Sequence, residues 1–133
     1  MQLKVEFDQS RPIYLQIIED IKRQIATGVL KPGDKLPSQR DLAVQLQVNA
    51  NTVQRAYREM ELLGIVETLR GQGTFVRAER SIVEETRGDM VSTLVEEFVT
   101  AMQALGYDAE AILLHVRQKL ADTAGNGGER NGK

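Results

Sequence analysis

The sequence contains no cysteine. That excludes a disulfide framework, a thiolate nucleophile and any cysteine-ligated metal site, and it fits the expected cytoplasmic location. No stretch approaches 18 consecutive apolar residues, so no membrane span is expected. The first eight residues, Met1 to Asp8, alternate apolar and charged side chains and lack the unbroken apolar core of a signal peptide. Histidine occurs once, as His115 on a segment read as helical, where it suits a surface or interface better than general-base chemistry. The acidic pairs Glu84-Glu85 and Glu96-Glu97 are consecutive, so on a helix they do not face each other and read as a solvated face. Gly71-Gln72-Gly73 lies between two predicted strands with no helix after it, unlike a phosphate-binding loop. No cluster with metal-ligand spacing occurs. Catalysis, a cofactor and a bound metal are therefore not expected.

What remains is an ordinary globular composition, with 41% apolar and 27% charged residues over 133 positions. The net charge of −2 is unevenly spread. Residues 1–77 hold 11 basic against 9 acidic side chains, and residues 78–133 hold 6 against 10. The division suggests a binding end and an acidic end.

Leu3, Val5 and Phe7 alternate with polar neighbours, as in a short strand or extended arm. Ser10 and Pro12 announce a helix, and Ile13, Ile17, Ile21 and Ile25 follow at four-residue spacing up to Gly28. After a loop rich in Pro and Gly, Ser38 opens a second helix that buries Leu42, Ala43 and Leu46. Gln47-Val48-Asn49 interrupts it. Asn49 caps a third helix with Val53, Ala56, Tyr57, Met60 and Leu63 on its buried side. Two apolar strands, 65–69 and 74–76, then flank Arg70-Gly71-Gln72-Gly73 as a β-hairpin.

The order helix, helix, tight turn, helix, hairpin is that of a winged helix-turn-helix. In such a motif the second helix of the pair presents its N-terminal residues to base edges in the major groove. Subtracting the buried face of the third helix leaves Asn49, Ala50, Asn51, Thr52, Gln54, Arg55 and Arg58 outside. Asn, Gln and Arg can each make paired hydrogen bonds to a base. Residues 42–58 contain no carboxylate, as an approach to phosphates requires. Arg40, on the first turn of the preceding helix, is placed to meet a phosphate or a guanine at the groove edge. The hairpin tip sets Arg70 beside glycines that let the backbone come close to a surface, which suits the minor groove. The DNA-contact set is thus Ser38, Arg40, Asn49, Ala50, Asn51, Thr52, Gln54, Arg55, Arg58, Arg70, Gly71 and Gln72.

In the acidic part, Met90, Val91, Leu94, Val95, Phe98, Met102 and Leu105 recur at helical spacing. A second helix, opened by Asp108, carries Ile112, Leu113, Val116 and Leu120. Two helices cannot enclose a sizeable ligand pocket. They can supply an apolar seam, and the expectation is an isologous homodimer joined there, with a helical hairpin on its own core as the alternative. Residues 123–133 cannot bury enough to fold and are expected to be a disordered tail. The predicted fold is mainly α with a small β-hairpin: a winged helix over 1–77, a two-helix dimerisation region over 78–122, and the tail.

Leu36-Pro-Ser-Gln-Arg-Asp-Leu-Ala43 with Val48-Asn-Ala-Asn-Thr-Val-Gln-Arg-Ala-Tyr57 resembles the GntR family of bacterial regulators. Pro12-Ile-Tyr-Leu-Gln-Ile17 and Arg70-Gly-Gln-Gly-Thr-Phe-Val76 are similar to its YtrA-type branch. The resemblance implies a homodimer on a palindromic double-stranded DNA operator, repression of nearby genes (commonly those of ABC transporters), and contacts from Arg40, Asn49, Asn51, Thr52, Gln54, Arg55 and the wing tip at Gly71. Many family members carry arginine where this chain has Ala50 and Gln54, which implies a different operator preference. No residue cluster identifies a small-molecule effector. A winged-helix adaptor that contacts only protein is the competing reading.

Overall fold

The structure is a computed structural model describing residues 6–131, the side chains of 126–131 excepted. Five helices and one hairpin follow one another: α1 (Ile13–Ala26), α2 (Gln39–Leu46), α3 (Ala50–Leu62), β1 (Val66–Leu69), β2 (Gly73–Val76), α4 (Ser81–Ala104) and α5 (Ala109–Asn131). This is the expected mainly α fold with a two-stranded antiparallel wing. The chain divides into two compact units, one ending at Met90 and the other beginning at Val91.

In the first unit the isoleucine stripe of α1 does what its spacing dictates. Ile17, Ile18, Ile21 and Ile25 are buried against Leu42 and Ala43 of α2 and Val53, Ala56, Tyr57 and Met60 of α3. Leu36, Ile65, Val66 and Val76 complete the core from the loop and the hairpin. Each fully buried aliphatic side chain of this kind stabilises the fold by about 1.5–3 kcal/mol. Ile82 and Thr86 are buried in the same unit, and Arg87 Nη2 donates to the Ala26 carbonyl oxygen at 3.0 Å. The unit holding the winged helix therefore continues into α4, past Arg77 where the sequence pattern places a boundary.

The structure departs from the sequence pattern in several places. Ser10 does not cap α1. Its backbone N–H and hydroxyl both donate to Asp8 Oδ1, at 2.9 and 2.7 Å, while Pro12 occupies the capping position. These hydrogen bonds hold the Asp8 carboxyl below its ordinary pKa. The buried Gln16 side chain fastens this turn, accepting from the Asp8 N–H at 2.8 Å and donating to the Asp8 and Arg11 carbonyl oxygens. Leu63 is 60% exposed, because it is the residue that ends α3 and no longer follows its buried stripe. Helix α5 runs on to Asn131 through most of the segment expected to be disordered. That segment contains no proline, so glycine lowers helix propensity by about 1 kcal/mol per residue without breaking the hydrogen-bond ladder. Leu3 and Val5 lie outside the described residues; Phe7 packs half-buried against the core.

In the second unit Asp108 opens α5 as expected, its Oδ1 accepting from the Ala111 N–H at 3.0 Å. Ile112 is buried within its own chain, at 7% exposure, and so is not available as seam surface. Met102 and Val116 are half-buried, as is Met90 at the end of the first unit. Val91, Leu94, Val95, Phe98, Leu105 and Leu113 stand 42–73% exposed. A groove of about 350 Å³ is lined by Phe98, Met102, His115, Val116, Lys119 and Leu120. No described helix is long and apolar enough to cross a membrane.

Candidate nucleic-acid interface

The helix pair α2–α3 is built from its ends inward. Ser38 Oγ accepts from the Asp41 N–H at 3.1 Å, satisfying a donor that the first turn of α2 cannot use. Gln47 ends α2 in the left-handed region, at φ 56°, and its backbone N–H returns to the last turn of the helix. Val48 N–H then bonds to the Ala43 carbonyl at 3.0 Å, and Asn49 starts α3 with its Oδ1 accepting from the Asn51 N–H at 2.8 Å. The capping bond occupies the Asn49 carbonyl oxygen. Its amide nitrogen is the group left for another partner.

The outward strip of α3 matches expectation in most places. Asn49, Ala50, Asn51, Gln54 and Arg58 are exposed, Thr52 is half-buried, and the first turn contains no acidic side chain. Ser38 and Arg40 are exposed at the start of α2. Arg55 behaves differently. It is exposed, yet its guanidinium carbon lies 3.9 Å from the ring centroid of Tyr14 on α1, and Nη2 donates to the Tyr14 hydroxyl at 3.2 Å. A cation held on an aromatic face is oriented before any ligand arrives.

The hairpin pairs Val66 with Val76, Glu67 with Phe75, Thr68 with Thr74 and Leu69 with Gly73. All three residues of its turn, Arg70-Gly71-Gln72, are exposed. Gly71 and Gly73 sit at φ +77° and +122°, backbone regions that L side chains rarely enter, which is why this turn needs glycine at both. At the base of the wing Arg77 is ion-paired with Glu79 and lies 3.8 Å from Glu85. These carboxylates hold its pKa above the ordinary arginine value.

Among the described residues the ion pairs engage Arg11, Arg23, Arg77 and Arg87, and none engages Arg40, Arg58 or Arg70. Arg40 on α2, Arg58 on α3 and Arg70 at the wing tip thus have no ion-pair partner among the described residues. Two residues are not marked out by the sequence pattern: Tyr14, which lies next to Ile13 of the α1 stripe, and Lys35, in the loop before α2. Only the packing of α1 against α3, and an isolated bridge between Lys35 and Phe75, give them their places. Local periodicity carries no signal for either. No group of acidic and histidine side chains that could hold a metal occurs among the described residues.

Residues 13–76 match the model of the family described as "Bacterial regulatory proteins, gntR family". The chain is 35% identical over 130 residues to the HTH-type transcriptional repressor YtrA of Bacillus subtilis, covering 97% of this chain and 98% of that one. This chain belongs to the GntR family, on its YtrA-type branch. It is also 49% identical over 108 residues to the HTH-type transcriptional regulator YhcF of the same organism, covering 81% of this chain and 89% of that one. A solved GntR family transcriptional regulator from Listeria monocytogenes superimposes with TM-score 0.76 at 41% identity, over 84% of this chain and 98% of that one. The solved DNA-binding domain of AraR, in complex with operator ORX1, gives TM-score 0.52 at 30% identity, over 57% of this chain and 98% of that one. The relatives are transcription regulators rather than enzymes, and 57% of this GntR protein is matched by an operator-bound structure.

Proposed function

We propose that this GntR protein is a cytoplasmic, sequence-specific repressor that binds a palindromic operator as a homodimer. Helix α3 enters the major groove, the Arg70-Gly71-Gln72 turn meets the minor groove, and exposed apolar side chains of residues 91–122 supply the dimer contact. The observation that carries this reading is the start of α3: exposed Asn51 and Gln54 and no carboxylate on the first turn, with exposed Arg58 further along the helix and exposed Arg40 on α2, neither of them ion-paired among the described residues. Unpaired cations on one protein surface raise affinity for phosphates by releasing condensed counterions. Asn and Gln then supply base discrimination.

In this reading the remaining site residues take complementary roles. Ser38 and Asn49 set the helix starts, Arg40 meets the backbone, Ala50 and Thr52 pack at the groove wall, and Gly71 and Gln72 bring the wing backbone close. Exposed Val91, Leu94, Val95 and Phe98 offer the seam for a second copy. Support for operator binding comes from the AraR domain, which is solved on operator DNA, and support for repression from YtrA, a repressor.

Selection from a random DNA pool, followed by sedimentation of the selected complex, tests the whole reading. The expected outcome is an inverted repeat bound by two protomers. Failure to enrich any sequence, with no salt-dependent binding, would leave the winged helix as a protein-contact adaptor.

A further inference from the structure

Lys35 lies in a loop by sequence, but the fold adds that loop to the wing. The Leu36 N–H donates to the Thr74 carbonyl at 2.8 Å, the Val76 N–H donates to the Asp34 carbonyl at 2.7 Å, and Lys35 bridges to Phe75. The segment is in effect a short third strand on the β2 side of the hairpin. Its lysine side chain then runs over Gly73. A Cβ built at Gly73 would stand 2.8 Å from Lys35 Cε and 3.5 Å from Nζ, so the bare glycine surface is what gives the stem its room. The ammonium ends 5.9 Å from the centroid of the Phe75 ring. Gly73 is the residue directly after the turn that carries Arg70, and Lys35 is exposed with no ion-pair partner among the described residues.

We propose that Lys35 is a further DNA-contact residue, a phosphate-binding cation seated in the wing by Gly73 and Phe75 next to the Arg70 turn. A compact, strongly hydrated ammonium on a stem suits a phosphate as a point charge and carries no base specificity. The aromatic face of Phe75 and the groove over Gly73 restrict the stem, which reduces the entropy lost when a phosphate binds. Arg70 at the tip and Lys35 behind it give the wing two charges at different depths. One suits the negative floor of a minor groove and the other suits its phosphate wall.

This assignment rests on the proposed operator binding, and the test separates the two. Lys35→Met, Lys35→Arg and Arg70→Ala are titrated against the selected operator and against unrelated duplex between 0.05 and 0.2 M salt. Removing one phosphate contact lowers the slope of log affinity against log salt by about 0.9 for each bound protomer. For a two-protomer complex the parent's advantage over Lys35→Met is then roughly tenfold greater at 0.05 M salt than at 0.2 M. The loss is equal on both DNAs, Lys35→Arg retains the parental slope, and thermal melting is unchanged. A parental slope for Lys35→Met, with Arg70→Ala impaired, would overturn the Lys35 contact and leave operator binding intact. Absence of salt-dependent binding by the parent would overturn both.

Discussion

Tyr57 on α3 donates its phenolic hydrogen to the carbonyl oxygen of Pro37 at 2.6 Å, and none of its side chain is exposed. Pro37 immediately precedes Ser38, the cap of α2. One hydrogen bond therefore ties the entrance of α2 to the middle of α3. Burial pushes the Tyr57 phenol well above the ordinary tyrosine pKa.

Tyr57→Phe keeps the ring and strands the Pro37 carbonyl, so stability falls by about 1–2 kcal/mol in a urea titration at neutral pH. The pH dependence has a definite sign. The folded state holds the neutral phenol, so its contribution is complete below pH about 10 and declines above it, where the unfolded chain loses the proton first. Between neutral pH and pH about 11 the parent loses more stability than Tyr57→Phe. Parallel curves would show that the buried hydroxyl is not the cause.

Arg40→Ala removes the proposed backbone contact and, because Arg40 is exposed, leaves the core alone. Affinity falls by the same factor on operator and unrelated duplex, the salt slope drops by about 0.9 per bound protomer, and the circular dichroism spectrum is unchanged. An effect confined to one operator sequence would reassign Arg40 to a base.

Gln54→Ala has the opposite signature. Discrimination at one position of each half-site relaxes by about 1–3 kcal/mol, while binding to unrelated duplex and the salt slope stay near parental values. A uniform loss on every sequence would remove Gln54 from base reading.

Where the pattern was local, the sequence was enough. The four-residue isoleucine spacing of α1, the Ser38 and Asn49 caps and the hairpin around Gly71 all depend on neighbours a turn or a residue away, and each is found in place. What escaped depends on distant contacts. Arg55 counts as one more outward cation until α1 brings Tyr14 under it, across 41 positions of chain. Lys35 is a loop lysine until β2 pairs with its backbone. Ile112 looks like seam surface because periodicity marks a helix face as apolar without saying which chain covers it; at 7% exposure its own chain does. Ser10 is the reverse case, a residue of good capping type taken by a nearer acceptor, Asp8.

Leu94→Glu tests the seam. Leu94 is 63% exposed in the single chain, so a carboxylate there costs the isolated protomer little, while at an apolar interface it would be desolvated without a partner. Sedimentation is expected to show a dimer for the parent and monomers for the variant at the same concentration, with the melting of the winged helix unchanged and operator affinity reduced. A parental dimer would place the contact elsewhere.

Hydroxyl-radical footprinting on the selected operator reports whether two α3 helices sit in successive major grooves. Two equivalent protected patches related by a two-fold axis are expected, with half-site centres one DNA turn apart, about 34 Å or 10–10.5 base pairs. A single unsymmetrical patch, or protection that ignores sequence, would contradict that placement.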